Sequence, residues 1–248
     1  MICVAPGQSP RTKTQSWMPA RDETLRTGAN LQSPFHGSNS TTVLDEPTSA
    51  AGVPVVVHKT CEAAMGCEDV QLKASGFVGT SVDGFIARPD DALDFLPPGG
   101  GEPHGYDEFM ATIDALVIGR KTYETVLAFD GWPYGEKPVF VLSTRPLAPA
   151  PDAAKVERLS GTPPEIAAEL DARGIGHAYI DGGITIQGFL DAGLIGRLII
   201  TRVPVLIGTG IPLFGATTRD IALKHIATRH YPSGLVQTEY EVITAAAS

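Results

Sequence analysis

The chain has 248 residues, 43% hydrophobic and 19% charged, with a formal net charge of −9. That length admits one large domain or two small ones, and the balance is ordinary for a globular chain. No apolar run approaches the roughly 18–20 residues that span a bilayer, Met1–Lys13 lacks the basic-then-apolar order of a secretory signal, and the acidic balance argues against a general affinity for nucleic acid, so a cytoplasmic protein without membrane or nucleic-acid partners is expected.

Met1–Ala51 is rich in Ser, Thr, Pro, Gly and Asn and keeps neither a 3.6- nor a 2-residue period. Such a stretch buries too little apolar surface to offset the entropy of ordering it. Val53–His58 (VPVVVH) is a marginal strand, weakened by Pro54. Residues 1–73 are therefore expected to be a disordered extension or a mis-assigned start, with the domain at 74–245. His58, Cys61 and Cys67 lie close together, but they form no C-x-x-C pair and no second Cys/His pair follows, so no metal site is expected. With Cys3 the cysteine count is odd, which argues against a disulfide framework.

From Ala74 onward, short apolar runs alternate with helical patterns. Gly76–Val82 reads as a strand and Pro97–Gly101 (PPGGG) as loop. Tyr106–Ile113 reads as a short helix, Ala115–Ile118 as a strand ending at Gly119, Lys121–Ala128 as a helix, and Pro138–Leu142 as a fully buried strand. Thr162–Arg173 carries the clearest helix signal. Thr162 and Glu165 form a T-x-x-E capping box, Pro163 takes the first helical position, and Gly174 supplies the stop. His177–Ile180 is a strand and Thr185–Ala192 a helix. Leu198–Ile207 reads as one long strand that Pro204 marks as an edge or bulge. Ile221–His230 and Leu235–Ile243 form a hairpin around Pro232–Ser233–Gly234. In its second strand Val236, Thr238, Tyr240 and Val242 alternate with Gln237, Glu239 and Glu241, which predicts one buried and one wet face. The order implies a mostly parallel central sheet with helices on both faces and an antiparallel C-terminal hairpin, with ligands at the carboxyl ends of the strands.

Three of those strand ends carry chemistry. In Val117–Glu124 (VIGRKTYE) a strand stops at Gly119 and a helix begins at once, so unpaired amides and the helix dipole make an anion site beside Arg120, Lys121 and Thr122. In Val139–Arg145 (VFVLSTR) Ser143 and Thr144 offer hydroxyls and Arg145 a planar fork suited to phosphate. In Tyr179–Gln187 (YIDGGITIQ) Gly182 and Gly183 allow close backbone approach before a new helix near Ile184–Thr185. Read singly, each has a plainer alternative: a strand–helix turn, a surface loop and a Gly-Gly turn.

In this order GRKTYE, VLSTR and DGGITIQ resemble the cofactor segments of the dihydrofolate-reductase-like family. The closer resemblance is to the reductase domain of bifunctional riboflavin-pathway deaminase-reductases and its stand-alone relatives. Thr80–Ala87 (TSVDGFIA) and Val203–Gly208 (VPVLIG) also resemble segments of that group. The resemblance implies a dihydrofolate-reductase-like α/β fold, NADPH as cofactor and a small-molecule substrate. Gly119, Arg120 and Thr122 would then bind cofactor phosphates. Leu142, Ser143, Thr144 and Arg145 would flank the adenosine 2′-phosphate. Gly182, Gly183, Ile184 and Thr185 would hold the pyrophosphate, and Val78 and Thr80 would face the nicotinamide. Asp83 is the candidate proton donor, with Asp83, Gly84 and Trp132 as candidate substrate contacts. Asp-Gly is also a favoured turn pair, so Asp83 has a structural alternative as well. His104 is read as a solvated loop histidine.

Arg88–Phe109 lacks the Pro-Trp pair of dihydrofolate reductases proper, and Asp107 or Glu108 could stand in for their acid. The deaminase zinc signature, H-x-E followed by P-C-x-x-C, is missing, as are G-x-G-x-x-G and the phosphate-loop motif. The reading is an NADPH-dependent reductase of a small heterocycle, with 5-amino-6-(5-phosphoribosylamino)uracil as a candidate. The alternatives are dihydrofolate reductase activity or a non-catalytic NADP-binding module. A homodimer is expected, with Leu198–Ile207 as a candidate interface strand.

Overall fold

A computed structural model describes residues 72–97, 102–217 and 219–243. The expectations for Val53–His58 and for His58, Cys61 and Cys67 lie outside the described residues. Fourteen elements follow in chain order: β1 (Lys73–Ser81), β2 (Phe85–Ala87), α1 (Tyr106–Ala111), β3 (Ala115–Gly119), α2 (Arg120–Leu127), β4 (Val139–Leu142), β5 (Val156–Leu159), α3 (Pro163–Ala172), β6 (His177–Asp181), α4 (Gly183–Asp191), β7 (Arg197–Val203), β8 (Ile211–Pro212), β9 (Ala222–His230) and β10 (Val236–Ile243).

Eight strands form one sheet in the order β5-β4-β3-β6-β1-β7-β10-β9, and β2 pairs with β8 in a small ribbon. From β5 to β7 all pairings are parallel, whereas β7–β10 and β10–β9 are antiparallel. The interior strands are unbroken apolar runs because both sheet faces are covered. Phe77, Leu116, Ile118, Tyr179 and Ile199 pack with Phe109 of α1 and with Tyr123 and Val126 of α2. Val78, Val117, Ile180, Leu198 and Ile200 pack with Ile166 and Leu170 of α3 and with Ile186 and Phe189 of α4. The α3 capping box forms as its spacing predicts, with the Thr162 amide donating to Glu165 Oε2 at 2.8 Å.

Three local expectations are corrected. β7 ends at Val203, and Pro204 terminates it rather than lying in an edge strand. β7 sits between β1 and β10, so Leu198–Ile200 are spent on the core and cannot form the interface expected there. β10 does not have a dry and a wet face. Gln237 and Glu239 are both buried because their polar groups are satisfied, the first by Thr201 Oγ1 (3.0 Å) and His104 O (2.9 Å), the second by Arg197 (2.8 Å). β5 had no sequence signal, since VERL offers a single apolar residue to each face, Leu159 to one and Val156 to the other.

At the amino edge of the sheet, His177 Nδ1 faces Thr112 O at 2.9 Å and Nε2 faces Ser75 Oγ at 2.8 Å, so the neutral ring donates to the carbonyl and accepts from the hydroxyl. Burial holds its pKa below the ordinary value, with the Thr112 carbonyl opposing. A depressed histidine pKa contributes stability above the unfolded value, about 6.5, that is lost as pH falls through the folded value. Urea midpoints should therefore decline below about pH 6.5, and His177→Gln should flatten that decline. An unchanged decline in the variant would move the effect to another group.

Candidate active site at the carboxyl edge of the sheet

β3 and β6 are neighbours in register, Ile118 opposite Asp181, and β4 lies on the other side of β3 with Leu142 opposite Gly119. Gly119, Ser143 and Gly182 therefore lie at one rim. The helices that follow β3 and β6 leave to opposite faces, α2 to one and α4 to the other. That divergence opens a crevice at the strand ends, the usual ligand position in such sheets.

The crevice is a cavity of about 770 Å³. Gly119, Arg120, Thr122, Leu142, Arg145, Gly182, Gly183, Ile184 and Thr185 are among the residues that line it. Both helix starts at its mouth, Gly119 for α2 and Gly182 for α4, lack a side-chain cap, so their first amides have no side-chain acceptor. Gly182 has φ 98° and ψ 133°, a conformation open to glycine alone. A Cβ there would lie 2.5 Å from Thr122 Oγ1, so the residue type sets how closely the two helix starts approach.

The charges at the mouth are partly committed. Arg120 bonds Glu124 Oε1 (2.7 Å) and Pro146 O (2.8 Å), tying α2 to the loop after β4. Lys121 pairs with Asp91 at 3.3 Å, an exposed contact. Arg145 is exposed at the cavity edge. The Ser143 hydroxyl accepts from the Arg145 amide (3.1 Å) and donates to the Arg145 carbonyl (2.8 Å), fixing that turn, and Thr144 is exposed beside it. The apolar wall consists of Ile86, Ala87, Leu93, Phe189 and Ile211 with Leu142. Sequence reasoning missed the wall residues from β2, the loop after it and β8, because the two small strands join segments more than 120 residues apart in the chain.

Other expected residues lie away from the cavity lining. Val78 and Thr80 are buried in β1. The Asp83 carboxylate accepts from the amides of Gly208 (2.8 Å) and Ile207 (3.3 Å), pinning the β1–β2 turn to the loop after β7. The Ser81 hydroxyl, aided by those amides, holds its pKa below the usual value. Gly84 takes φ +85° in the same turn. Trp132 is half-buried and packs edge-on to Tyr134 and Tyr123. His104 is half-buried against Phe77, and burial lowers its pKa. Asp107 and Glu108 are exposed on the first turn of α1. Asp181, wholly buried at the end of β6 and accepting from the Gly182 amide (2.8 Å), was missed because one acid in an apolar run has no periodic signal. Among the described residues no group of three or more His, Cys, Asp or Glu is placed to hold a metal, and no helix is long and apolar enough to cross a membrane.

Residues 76–237 match the sequence family described as the RibD C-terminal domain. The chain belongs to the RibD C-terminal domain family. The chain is 31% identical over 177 residues to the uncharacterized protein YwjB of Bacillus subtilis (strain 168), covering 69% of this chain and 98% of that protein. It is similar to a crystal structure from Shewanella sp. PV-4, of a protein assigned by inference to riboflavin biosynthesis. Identity is 39%, TM-score 0.64, and coverage 69% of this chain and 99% of the other. The Thermotoga maritima diaminohydroxyphosphoribosylaminopyrimidine deaminase/5-amino-6-(5-phosphoribosylamino)uracil reductase shares the fold at 14% identity and TM-score 0.52, over 69% of this chain and 56% of that one. This RibD-type domain has the dihydrofolate-reductase-like α/β fold, with the antiparallel β9–β10 pair completing a mostly parallel sheet.

Proposed function

We propose that this domain is an NADPH-dependent reductase of a small heterocyclic substrate, with 5-amino-6-(5-phosphoribosylamino)uracil as the first compound to try. The observation that carries the reading is the pair of uncapped helix starts, at Gly119 and Gly182, opening into one cavity. Amides without acceptors, the positive ends of two helices and nearby Arg120, Lys121 and Arg145 suit a dinucleotide's phosphates. Membership in the family and the printed activity of the Thermotoga protein support the reductase class.

In this reading Gly182, Gly183, Ile184 and Thr185 hold the pyrophosphate through the α4 start. Gly119, Arg120 and Thr122 hold phosphate at the α2 start, and Ser143, Thr144 and Arg145 flank the 2′-phosphate. When bound, the nicotinamide supplies a hydride. The apolar wall from Ile86 to Phe189 excludes water from one side of the site, and Asp91 competes with phosphate for Lys121. Asp83, ionised and already accepting two amides, fixes the loop that frames the rim. The domain acts as a homodimer in this reading. Support comes from β9, a nine-residue edge strand with Leu223 and Ile226 exposed.

The test is consumption of reduced nicotinamide absorbance by the full chain with the aminouracil, NADPH against NADH. Faster turnover with NADPH is expected. Saturable NADPH binding without turnover would favour the non-catalytic module instead.

A further inference from the structure

Two buried hydrogen-bond donors sit outside the cofactor cavity, in the α1/α2 core of the same domain. Tyr134 is only 3% exposed, and its hydroxyl has no hydrogen-bond partner among the described residues. The indole Nε1 of half-buried Trp132 is likewise buried without one. The two rings meet edge to face, with centroids 5.3 Å apart and planes at 90°. Phe77, Tyr106, Phe109 and Tyr123 belong to the same packed cluster.

A phenol and an indole buried without acceptors carry an uncompensated desolvation cost that phenylalanine in both places would avoid. Their presence at these positions points to an acceptor that arrives with a ligand. Burial, then the nearby Asp181 carboxylate and the Tyr106 phenol, hold the Tyr134 hydroxyl well above its ordinary pKa, so it is a neutral donor. Asp181 immediately precedes Gly182, which lines the cofactor cavity, so the end of β6 links the carboxylate near Tyr134 to that cavity's rim. The flat aromatic surroundings match a flat ring, and two donors match its acceptor edge.

We infer that Tyr134 Oη and Trp132 Nε1 recognise the carbonyl or imine-nitrogen edge of a planar heterocyclic substrate, entering past the half-exposed Trp132. Placing that ring beside the nicotinamide rests on the reductase reading, whereas the binding itself does not.

The test uses the full chain with Trp17→Phe, which leaves Trp132 as the only tryptophan. Lumazine, a planar pteridinedione, is titrated against Trp132 fluorescence with and without NADP⁺, in this parent and in the added variants Tyr134→Phe and Trp132→Phe. The Trp132 variant is followed by lumazine's own emission. Saturable quenching is expected in the parent. Tyr134→Phe should weaken lumazine about tenfold, the reach of one hydrogen bond, with NADPH affinity unchanged and the melting temperature equal or higher. Trp132→Phe should also weaken lumazine. Lumazine affinity in Tyr134→Phe within about twofold of the parent would overturn the inference, as would no saturable quenching in the parent. A melting temperature several degrees lower in Tyr134→Phe would overturn it too, by showing that the hydroxyl already has a partner in the fold. Lumazine binding that depends on Tyr134 in a chain that fails to bind NADPH would sustain it and remove the reductase reading alone.

Discussion

Arg145→Ala lowers affinity for NADPH by about tenfold and leaves affinity for NADH nearly unchanged. The guanidinium stands exposed at the cavity edge, beside a turn that the Ser143 hydroxyl closes from within. A charge-assisted hydrogen bond to a phosphate contributes about 1.5–3 kcal/mol, and exposure places Arg145 at the lower end, close to one factor of ten. Arg120→Ala should behave differently. Arg120 braces α2 against Pro146 O and Glu124, so its loss also disturbs the loop after β4 and weakens both cofactors. Fluorescence titration of the two variants with both nucleotides separates these outcomes. Equal losses of NADPH and NADH with Arg145→Ala would remove the 2′-phosphate assignment.

The second large effect belongs to Gly182→Ala. A side chain at φ 98° and ψ 133° is strained, at a cost of about 1–3 kcal/mol, and its Cβ would meet Thr122 Oγ1 at 2.5 Å. The start of α4 must shift away from α2, which displaces the amides proposed to hold the pyrophosphate. We expect a melting temperature lower by several degrees and NADPH affinity lower by at least about tenfold. Gly84→Ala is the matched control: it has a similar φ, +85°, with nothing within 4 Å of the added Cβ. It should lose stability with little change in NADPH affinity. Thr122→Ala added to Gly182→Ala relieves the collision but not the strained dihedral, and should restore part of the lost stability but not the NADPH affinity, because Thr122 is itself a proposed phosphate contact. Cofactor affinity that is unaffected by Gly182→Ala would show that this turn does not touch the ligand.

Much of this arrangement was readable in the sequence because local chemistry and global packing agree there. Ala115–Gly119 is buried on both faces, stops at a glycine and starts a helix without a cap, and each of those features has a residue-level signal. The α3 capping box is equally local. What escaped notice depends on distant partners. The alternation in β10 misled because Arg197, Thr201 and the carbonyl of His104 satisfy Glu239 and Gln237, turning a polar face into a buried one. β5 escaped because an edge strand needs few apolar residues, and the β2–β8 ribbon because it joins remote segments. Asp83 shows the limit at the site itself. Its residue type suits acid–base chemistry and a turn equally well, and only the Gly208 and Ile207 amides reveal what its carboxylate contacts in the fold.

The proposed grip is that of two uncapped helix starts, at neighbouring strand ends, on the phosphates of one dinucleotide. The decisive experiment is a crystal structure of the full chain with NADP⁺. The expected result is pyrophosphate oxygens within hydrogen-bonding distance of the amides at Gly183–Thr185, with the 2′-phosphate beside Arg145. Ordered nucleotide elsewhere on the protein, with the Gly182 turn free of contact, would contradict it.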